Sequence, residues 1–123
     1  MNKQVDFLVI GSGIAGLTYA LKVADKGSVC IVTKEIPEES NTSYAQGGIA
    51  GVWDDSDSIE KHIADTLDAG ADLNNKEIVK IVATEAKERI EELIEYGARF
   101  DKNKLGKYDL AKEGGHSNSR ILH

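Results

Sequence analysis

Three glycines near the start of the chain have the spacing of a loop that binds phosphate. Gly11, Gly13 and Gly16 form Gly-x-Gly-x-x-Gly between a short apolar run and a helical pattern. We assign Gly11 to a tight turn, Gly13 to close backbone approach to a pyrophosphate, and Gly16 to close packing of helix on sheet. The free amides and partial positive charge at the helix N-terminus can stabilise the phosphates without Lys or Arg. The motif therefore predicts a dinucleotide site.

A second segment has the residues for the other wall of such a site. It reads Ser-Asn-Thr-Ser-Tyr-Ala-Gln-Gly-Gly-Ile-Ala from Ser40 to Ala50. Short hydroxyl and amide side chains can hydrogen-bond a ligand, and paired glycines let main-chain amides approach it closely. The candidate binding residues of this wall are Asn41, Thr42, Ser43, Tyr44, Ala45, Gln46, Gly47 and Gly48.

Thr33 and Lys34 stand where a dinucleotide site usually has an acidic residue for a ribose hydroxyl. Lys34 has three interpretations. It could bind the 2'-phosphate of NADP, it could be an ordinary surface lysine, or it could lie near the adenosine end of another dinucleotide.

A third chemical motif, Lys-Glu-Gly-Gly-His-Ser, runs from Lys112 to Ser117. Glu113 could be an exposed loop carboxylate or a group that recognises a substrate. His116 could carry a proton, donate a hydrogen bond to a substrate, or orient the loop. We assign His116 no chemical step.

The elements that position the glycine motif form a strand, a helix and a strand. The apolar residues from Val5 to Ile10 predict a parallel strand covered on both faces. A helix follows and stops at Gly27, and a second strand contains Val29, Ile31 and Val32. We expect Cys30 to be buried in this strand. A polar loop with Pro37, the only proline, follows from Glu35 to Glu39.

Two amphipathic helices are predicted in the middle of the chain. Ser56 is the expected N-cap of the first, and Gly70 ends it. The first helix carries His62, Asp65 and Thr66, which could be catalytic; we favour a structural cluster. Its apolar positions are Ile59, Ile63 and Leu67.

The second helix begins with a capping-box-like pair, Asn74 and Glu77, and ends near Gly97. We expect a turn between short strands at 102–107. The predicted core-facing stripe of the helix comprises Ile78, Val82, Ala86, Ile90, Leu93 and Ile94.

Composition limits the function classes. A net charge of -6 argues against a nucleic-acid binder. A single cysteine excludes an internal disulfide and fits a reducing, cytoplasmic setting. We identify no leader, no membrane-spanning run and no metal site. Residues Ser119 to His123 predict the first turn of a helix without continuation, so we expect an N-terminal piece of a longer enzyme.

Together, Gly11 to Gly16, Lys34 and Asn41 to Ala50 resemble the flavoprotein family of succinate dehydrogenase, fumarate reductase and L-aspartate oxidase. The resemblance extends from Asp6 to His123 and covers about the first quarter of a typical member. It implies an α/β fold with a Rossmann-like FAD-binding βαβ unit and additional helices, as an incomplete part of a larger flavoprotein domain.

The same resemblance implies which residues hold FAD. Ser12, Gly13, Ile14 and Ala15 would lie at its pyrophosphate, Lys34 near the adenosine, and residues 41–48 along the rest. Lys34 then does not imply NADP. Some family members attach FAD covalently through a histidine, but this chain has Asn41 at that position. An amide cannot act as that nucleophile, so the FAD is expected to be non-covalent.

Glu113 makes the resemblance closest to the L-aspartate oxidases, whereas succinate dehydrogenases usually have an apolar residue there. A carboxylate would bind the ammonium group of aspartate and repel a dicarboxylate without one. The implied reaction is oxidation of L-aspartate to iminoaspartate with oxygen or fumarate as acceptor. It would feed quinolinate synthase and NAD biosynthesis.

The resemblance further implies that residues 1–123 are the N-terminal part of the FAD-binding domain, without the capping and C-terminal helical domains. Alone, the chain should be inactive. Two alternatives stay open. One is a fumarate reductase or succinate dehydrogenase flavoprotein subunit, which Glu113 and Asn41 disfavour. The other is a short, non-catalytic nucleotide-binding protein.

Overall fold

The computed structural model describes residues 3–36, 39–45 and 47–123. The chain divides into two compact units, residues 1–46 and residues 47–123. Pro37, in the expected loop, and Gln46, in the expected ligand wall, lie outside the described residues. Within the described part of the chain, no helix combines the length and the apolar character needed to cross a membrane.

The first unit is a βαβ arrangement. Strand β1 (Phe7–Ile10) and strand β2 (Val29–Val32) are parallel, with Phe7 opposite Val29 and Ile10 opposite Val32. Helix α1 (Ile14–Val23) connects them. A small core contains Val9, Ala20 and Val23. The α/β fold and the parallel strand pair are therefore confirmed.

Two expectations for this unit were wrong. Strand β1 is not covered on both faces, because Leu8 is 60% and Ile10 is 83% exposed. Cys30 is half-buried in β2 rather than buried. Both differences have one cause. Helix α1 packs on the face of this sheet that carries Val9, whose Cγ1 would lie 3.3 Å from a Cβ at Gly16. Leu8, Ile10 and Cys30 lie on the opposite face, because side chains alternate along a strand and Leu8 pairs with Cys30.

At the amino end of the strands, Asp6 and Ser28 tie β1 to β2. The Asp6 carboxylate accepts from the Ser28 backbone N–H at 2.8 Å and from its hydroxyl at 2.7 Å. The hydrogen bonds from Ser28 lower the pKa of Asp6 below its ordinary value. A Cβ at Gly27 would lie 2.7 Å from the same carboxylate, so this corner needs glycine.

The second unit has two short strands and two helices. Strand β3 (Ile49–Ala50) pairs antiparallel with strand β4 (Ile121–Leu122). Helix α2 (Ile59–Ala69) and helix α3 (Lys76–Glu95) pack on each other. The most buried residues of the second unit include Ile90, Ile121 and Leu122. The turn expected at 102–107 is confirmed by the antiparallel bridge between Lys102 and Tyr108.

The expected helix at the end of the chain was wrong. Ile121 and Leu122 are strand residues because their backbones pair with Ala50 and Ile49. Ala111 makes a further antiparallel bridge to Ile121. These partners are remote in sequence, and a short apolar run alone does not distinguish strand from helix.

Both helix caps lie later than expected. Ser58, rather than Ser56, caps α2, and its hydroxyl accepts from the Lys61 N–H. Asn75, rather than Asn74, caps α3 by accepting from the N–H groups of Glu77 and Ile78. Adjacent residues of the same capping type make the first helical residue ambiguous in sequence.

The buried stripe of α3 is also displaced from the expected one. Val79, Ala83 and Ile90 are buried, whereas Ile78 and Val82 are 54% and 61% exposed. Of the expected stripe, Ile90 is buried and Ala86, Leu93 and Ile94 are half-buried. The helix has apolar residues on more than one face, so its periodicity alone did not identify the face that packs against the rest of this unit.

Candidate functional site

The glycine motif forms a turn that opens onto the N-terminus of α1. Gly11 has φ +107°, a left-handed conformation that favours glycine, and its N–H donates to the Val32 carbonyl at 2.9 Å. A Cβ on Gly16 would lie 2.3 Å from the Gly11 carbonyl oxygen. Gly11 therefore makes the turn, and Gly16 permits the close packing, as the motif predicts.

This turn leaves backbone donors available. Within the described residues, the N–H groups of Ser12, Gly13, Ala15 and Gly16 have no hydrogen-bond acceptor. Gly13 is the N-cap of α1 and supplies no side chain to satisfy them. Unpaired amides at a helix N-terminus, together with the helix dipole, suit an anion. These residues fit the pyrophosphate of a dinucleotide.

Thr42 brings the second predicted segment to the same helix end. Its hydroxyl oxygen accepts from the Ile14 N–H at 3.2 Å. A Cβ on Gly13 would lie 3.7 Å from that oxygen, which is an ordinary contact. Thr42 therefore takes one amide of the first helical turn, while the neighbouring amides have no acceptor in the part of the chain that the structure describes.

Residues 40–44 form a turn around this threonine. The Ser43 N–H donates to the backbone and side-chain oxygens of Ser40, and the Tyr44 hydroxyl donates to the Glu39 carboxylate at 2.7 Å. The hydrogen bond to Glu39 raises the pKa of Tyr44. The side chains expected to face a ligand, Asn41, Thr42, Ser43, Tyr44 and Ala45, are all exposed.

The remaining described ligand residues of the prediction belong to two different units. Lys34 is exposed just after β2, in the unit that contains the glycine turn. Gly47 and Gly48 belong to the second unit. A Cβ on Gly48 would lie 2.3 Å from the Ile121 side chain and 2.4 Å from the Leu122 carbonyl oxygen. Packing against β4 is therefore itself a reason for glycine at position 48.

The second unit contains a buried ionic cluster centred on Arg120. This side chain is fully buried and donates through Nε and Nη2 to Asp57 at 2.8 and 2.7 Å. Its Nη1 donates to Asp65 at 2.7 Å. Such paired geometry is the usual way in which a protein accommodates a buried guanidinium.

The pKa values of the three charged groups in this cluster are shifted so that each group stays ionised. Burial acts to raise the pKa of Asp57, but the hydrogen bonds from Arg120 outweigh it and lower that pKa. The Ser117 N–H and hydroxyl, with Arg120, lower the pKa of Asp65 to about 2. In turn, the hydrogen bond to Asp57 raises the pKa of Arg120. Both carboxylates and the guanidinium are therefore charged at neutral pH.

Two histidines lie at the edge of the cluster. His116 Nδ1 is 3.3 Å from Arg120 Nη1, and its ring centroid is 5.8 Å from that of His62. His62 is buried, and within the described residues its Nδ1 has no hydrogen-bond partner. Burial, followed by the nearby Arg120 charge, lowers the pKa of His62, so its neutral form is favoured.

Of the three polar residues noted on α2, Asp65 is the one whose side chain makes long-range hydrogen bonds among the described residues. It bonds Arg120 and Ser117, whereas the Thr66 hydroxyl donates to the His62 carbonyl within the helix. These contacts agree with a structural cluster. Sequence reasoning missed Arg120 and Asp57; the available signal was an arginine directly before the apolar pair Ile121 and Leu122.

Glu113 begins a tight turn. Its carbonyl accepts from the His116 N–H at 3.3 Å, and Gly115, the third residue of the turn, has φ +81°. The Glu113 side chain is 47% exposed, and its Oε1 is 3.3 Å from His123 Nε2. The carboxylate is therefore accessible, with an imidazole beside it.

Comparison with known proteins agrees with the ligand suggested by the glycine turn. A family model described as "FAD binding domain" matches residues 6–123. L-Aspartate oxidase of Oryza sativa is 56% identical over 99% of this chain and 19% of its own length. L-Aspartate oxidase of Vibrio cholerae is 51% identical over 98% of this chain and 23% of its own length.

Solved structures give the same fold. A quinol-fumarate reductase with menaquinol molecules has a TM-score of 0.90 at 28% identity, over 100% of this chain and 22% of that one. Sdh1 of Mycobacterium smegmatis in complex with UQ1 has a TM-score of 0.87 at 36% identity, over 97% and 20%.

The chain spans about a fifth of the length of the curated relatives it matches. The family match confirms FAD as the cofactor expected from the glycine turn and from residues 41–48. The curated relatives named above are L-aspartate oxidases. With the βαβ unit, the unpaired amides and a match over residues 6–123 all in agreement, the chain belongs to the FAD binding domain family.

Proposed function

We propose that the protein containing this chain oxidises L-aspartate to iminoaspartate. The observation that carries the proposal is the similarity to L-aspartate oxidases along the chain, at identities from 41% to 57%. The matched region of the Oryza sativa enzyme covers 99% of this chain, so it includes the glycine turn, the residues around Asn41 and the Glu113 turn.

The reaction removes a hydride from Cα and a proton from the amino group of L-aspartate, which leaves a C=N bond. FAD, when bound, supplies the acceptor for the two electrons, which pass to oxygen to give hydrogen peroxide or to fumarate to give succinate. The contribution of this chain is to hold the cofactor and to recognise the substrate.

In this proposal, the N–H groups of Ser12, Gly13 and Ala15 hold the pyrophosphate. Their lack of an acceptor within the described residues supports the role. Lys34 lies near the adenosine, and residues 41–48 extend along the rest of the cofactor. Asn41 leaves FAD non-covalent, because its amide has no nucleophilic nitrogen comparable with that of imidazole.

Glu113 is the proposed selectivity residue. Its carboxylate would accept a charge-assisted hydrogen bond from the substrate ammonium group and would repel a dicarboxylate without one. The exposure of this side chain supports the role, since a group that binds substrate must be accessible. A neutral amide at position 113 would keep the shape and remove the attraction.

The test uses the full-length protein reconstituted with FAD. We expect L-aspartate, but not succinate, to give steady hydrogen peroxide. Glu113→Gln should raise KM for L-aspartate about tenfold or more, because hydrogen bonds to charged groups contribute roughly 1.5–3 kcal/mol. Glu95→Gln, at an exposed position on α3, is the matched control and should leave KM unchanged.

Oxidation of succinate without oxidation of L-aspartate would overturn this proposal in favour of a fumarate reductase or succinate dehydrogenase flavoprotein subunit. The high TM-score to quinol-fumarate reductase is the observation that supports this second candidate. Nucleotide binding by the full-length protein without oxidation of either substrate would favour the third, non-catalytic alternative.

We assign residues 1–123 to the N-terminal part of the FAD-binding domain, and we propose that this piece is inactive without the capping and C-terminal helical domains. Steady peroxide formation from L-aspartate by the purified 123-residue chain would contradict the assignment. No peroxide above a flavin blank is the expected result.

Iminoaspartate is a precursor that quinolinate synthase could take up, so the proposal includes a place in NAD biosynthesis, in the cytoplasm. A coupled assay tests it. Quinolinate should form from L-aspartate and dihydroxyacetone phosphate only when both enzymes are present, and its formation without this protein would contradict the coupling.

A further inference from the structure

The turn that carries Glu113 is closed at its base by backbone pairing. The Ala111 carbonyl accepts from the N–H groups of Arg120 and Ile121, both at 3.1 Å. The Ala111 N–H donates to the Ile121 carbonyl at 2.9 Å. Residues 112–119 therefore form a loop whose two ends are held next to β4.

The tip of this loop is held by a different element. Asp65 Oδ2 accepts from the Ser117 N–H at 2.7 Å and from the Ser117 hydroxyl at 2.8 Å. The same oxygen accepts from Arg120 Nη1 at 2.7 Å. Asp65 belongs to α2, so the two Ser117 bonds connect the loop to this helix, and the Arg120 bond connects the residue that follows the loop.

Only a short stretch of backbone separates Ser117 from Glu113. Ser117 follows His116 directly, and the His116 N–H closes the turn on the Glu113 carbonyl. Gly115 completes the turn with φ +81°, where a side chain would be strained. A shift of Ser117 would therefore be passed along this short turn to the Glu113 backbone.

We propose that Asp65 is a positioning residue for Glu113: it fixes the 113–117 turn to α2 and thereby orients the carboxylate that selects an amino-bearing dicarboxylate. This inference rests on the proposed function for the role of Glu113. The contacts of Asp65 with Ser117 and Arg120 do not depend on it. The contacts of Asp65 with Ser117 and Arg120 all lie within the second unit.

The test is Asp65→Asn in the full-length protein with FAD. Asparagine keeps the size and one acceptor oxygen but loses the charge, which weakens the hydrogen bonds from Ser117 and Arg120. We expect KM for L-aspartate to rise about tenfold, which corresponds to ~1.4 kcal/mol. Because the change affects orientation and not the transferred electrons, kcat should change by less than about threefold.

Two further readouts separate positioning from general loss of structure. The inhibition constant for succinate, which has no ammonium group, should not rise, because Glu113 repels this dicarboxylate and does not attract it. Amide hydrogen exchange at His116 and Ser117 should become faster while FAD content stays equal to that of the parent protein. Asp68→Asn, three residues further along α2 and exposed, is the matched control and should change none of these quantities.

Equal weakening of L-aspartate and succinate binding, or loss of FAD, in Asp65→Asn would overturn the inference. Ser117→Ala provides a second test that leaves the Asp65 charge in place. It removes one of the two Ser117 contacts and should give a smaller change in the same direction; an unchanged KM and unchanged exchange would count against the inference.

If the proposed function is wrong, the same experiments give a different result. If Glu113→Gln leaves the preference for L-aspartate unchanged, the recognition role of Glu113 is wrong. Amide exchange in Asp65→Asn still decides whether Asp65 holds the turn. If Glu113→Gln abolishes the preference but Asp65→Asn does not change it, the positioning role alone is overturned.

Discussion

Arg120 and Asp57 lie 63 positions apart in the chain, yet their side chains meet in a two-point hydrogen-bonded pair that is almost completely buried. Arg120 is 0% exposed and Asp57 is 1% exposed. The pair joins the segment before α2 to the entry of β4. A buried carboxylate that lost this guanidinium would have neither water nor a counter-charge.

We therefore predict that Arg120→Ala lowers the free energy of unfolding by about 3–5 kcal/mol, the usual cost of removing one partner of a buried ion pair. Urea denaturation followed by the fluorescence of Trp53, the single tryptophan, reports on this unit. Arg89→Ala is the matched control. Arg89 pairs with glutamates on the α3 surface, where such pairs contribute at most about 1 kcal/mol. Equal effects of the two substitutions would contradict the prediction.

Two glycine substitutions should have separable effects. Gly16→Ala places a Cβ 2.3 Å from the Gly11 carbonyl oxygen, so we expect the first unit to unfold at lower temperature. Gly13→Ala makes only an ordinary 3.7 Å contact with Thr42, so thermal stability should be retained. The added methyl would nevertheless take space next to the pyrophosphate. FAD affinity of the full-length protein should fall about tenfold or more, measured by fluorescence titration. Normal FAD affinity in Gly13→Ala would contradict the assignment.

Asp65 predicts a pH dependence of stability. Its pKa is lowered from 3.8 to about 2 in the folded protein, because Ser117 and Arg120 hydrogen-bond the charged form. The stabilisation is therefore fully present above about pH 4, the ordinary carboxyl range, and is lost as the pH falls towards 2. Urea denaturation of Asp65→Asn should show a weaker decline between pH 4 and pH 2 than the parent. Asp6 and Asp54, whose pKa values are also lowered, account for part of the remaining decline. An unchanged pH profile would be evidence against this contribution of Asp65.

Asn41 predicts the mode of flavin attachment. Acid precipitation of the full-length protein should release the flavin into the supernatant, since an asparagine amide forms no covalent bond to it. Asn41→Ala is the control and should release flavin in the same way. A yellow, flavin-containing pellet from the parent protein would show covalent attachment and contradict the prediction.

The βαβ unit could be predicted from the sequence because each of its signals is local. The apolar runs, the glycine spacing and the helix between them all lie within about thirty residues, and the close contact of Gly16 with Gly11 follows from that spacing. The exposure of Leu8 and Ile10 could not be predicted in this way. It depends on what packs on the face of β1 that points away from α1, which is not a local property.

The strand at Ile121 and Leu122 shows a second limit. Its residues fit a helix or a strand equally well, and the pairing with Ile49 and Ala50 decides between them. The same limit applies to the prediction of the candidate site. Glu113 and the glycine turn stand out through their motifs, whereas Arg120 and Asp57 become noticeable only when burial and distance bring them together.

The Arg120 cluster also bears on the order in which the second unit folds during synthesis. Helices α2 and α3 can begin to pair as soon as both have been made, because their contacts lie close in sequence. Asp57 and Asp65 must wait for a guanidinium that comes 63 and 55 residues later. Until Arg120 has left the ribosome, both carboxylates are best solvated by water, so the nascent unit should stay open around them. Ribosome-stalled chains that end before and after Arg120 would make this late closure visible as a sharp gain in protease resistance.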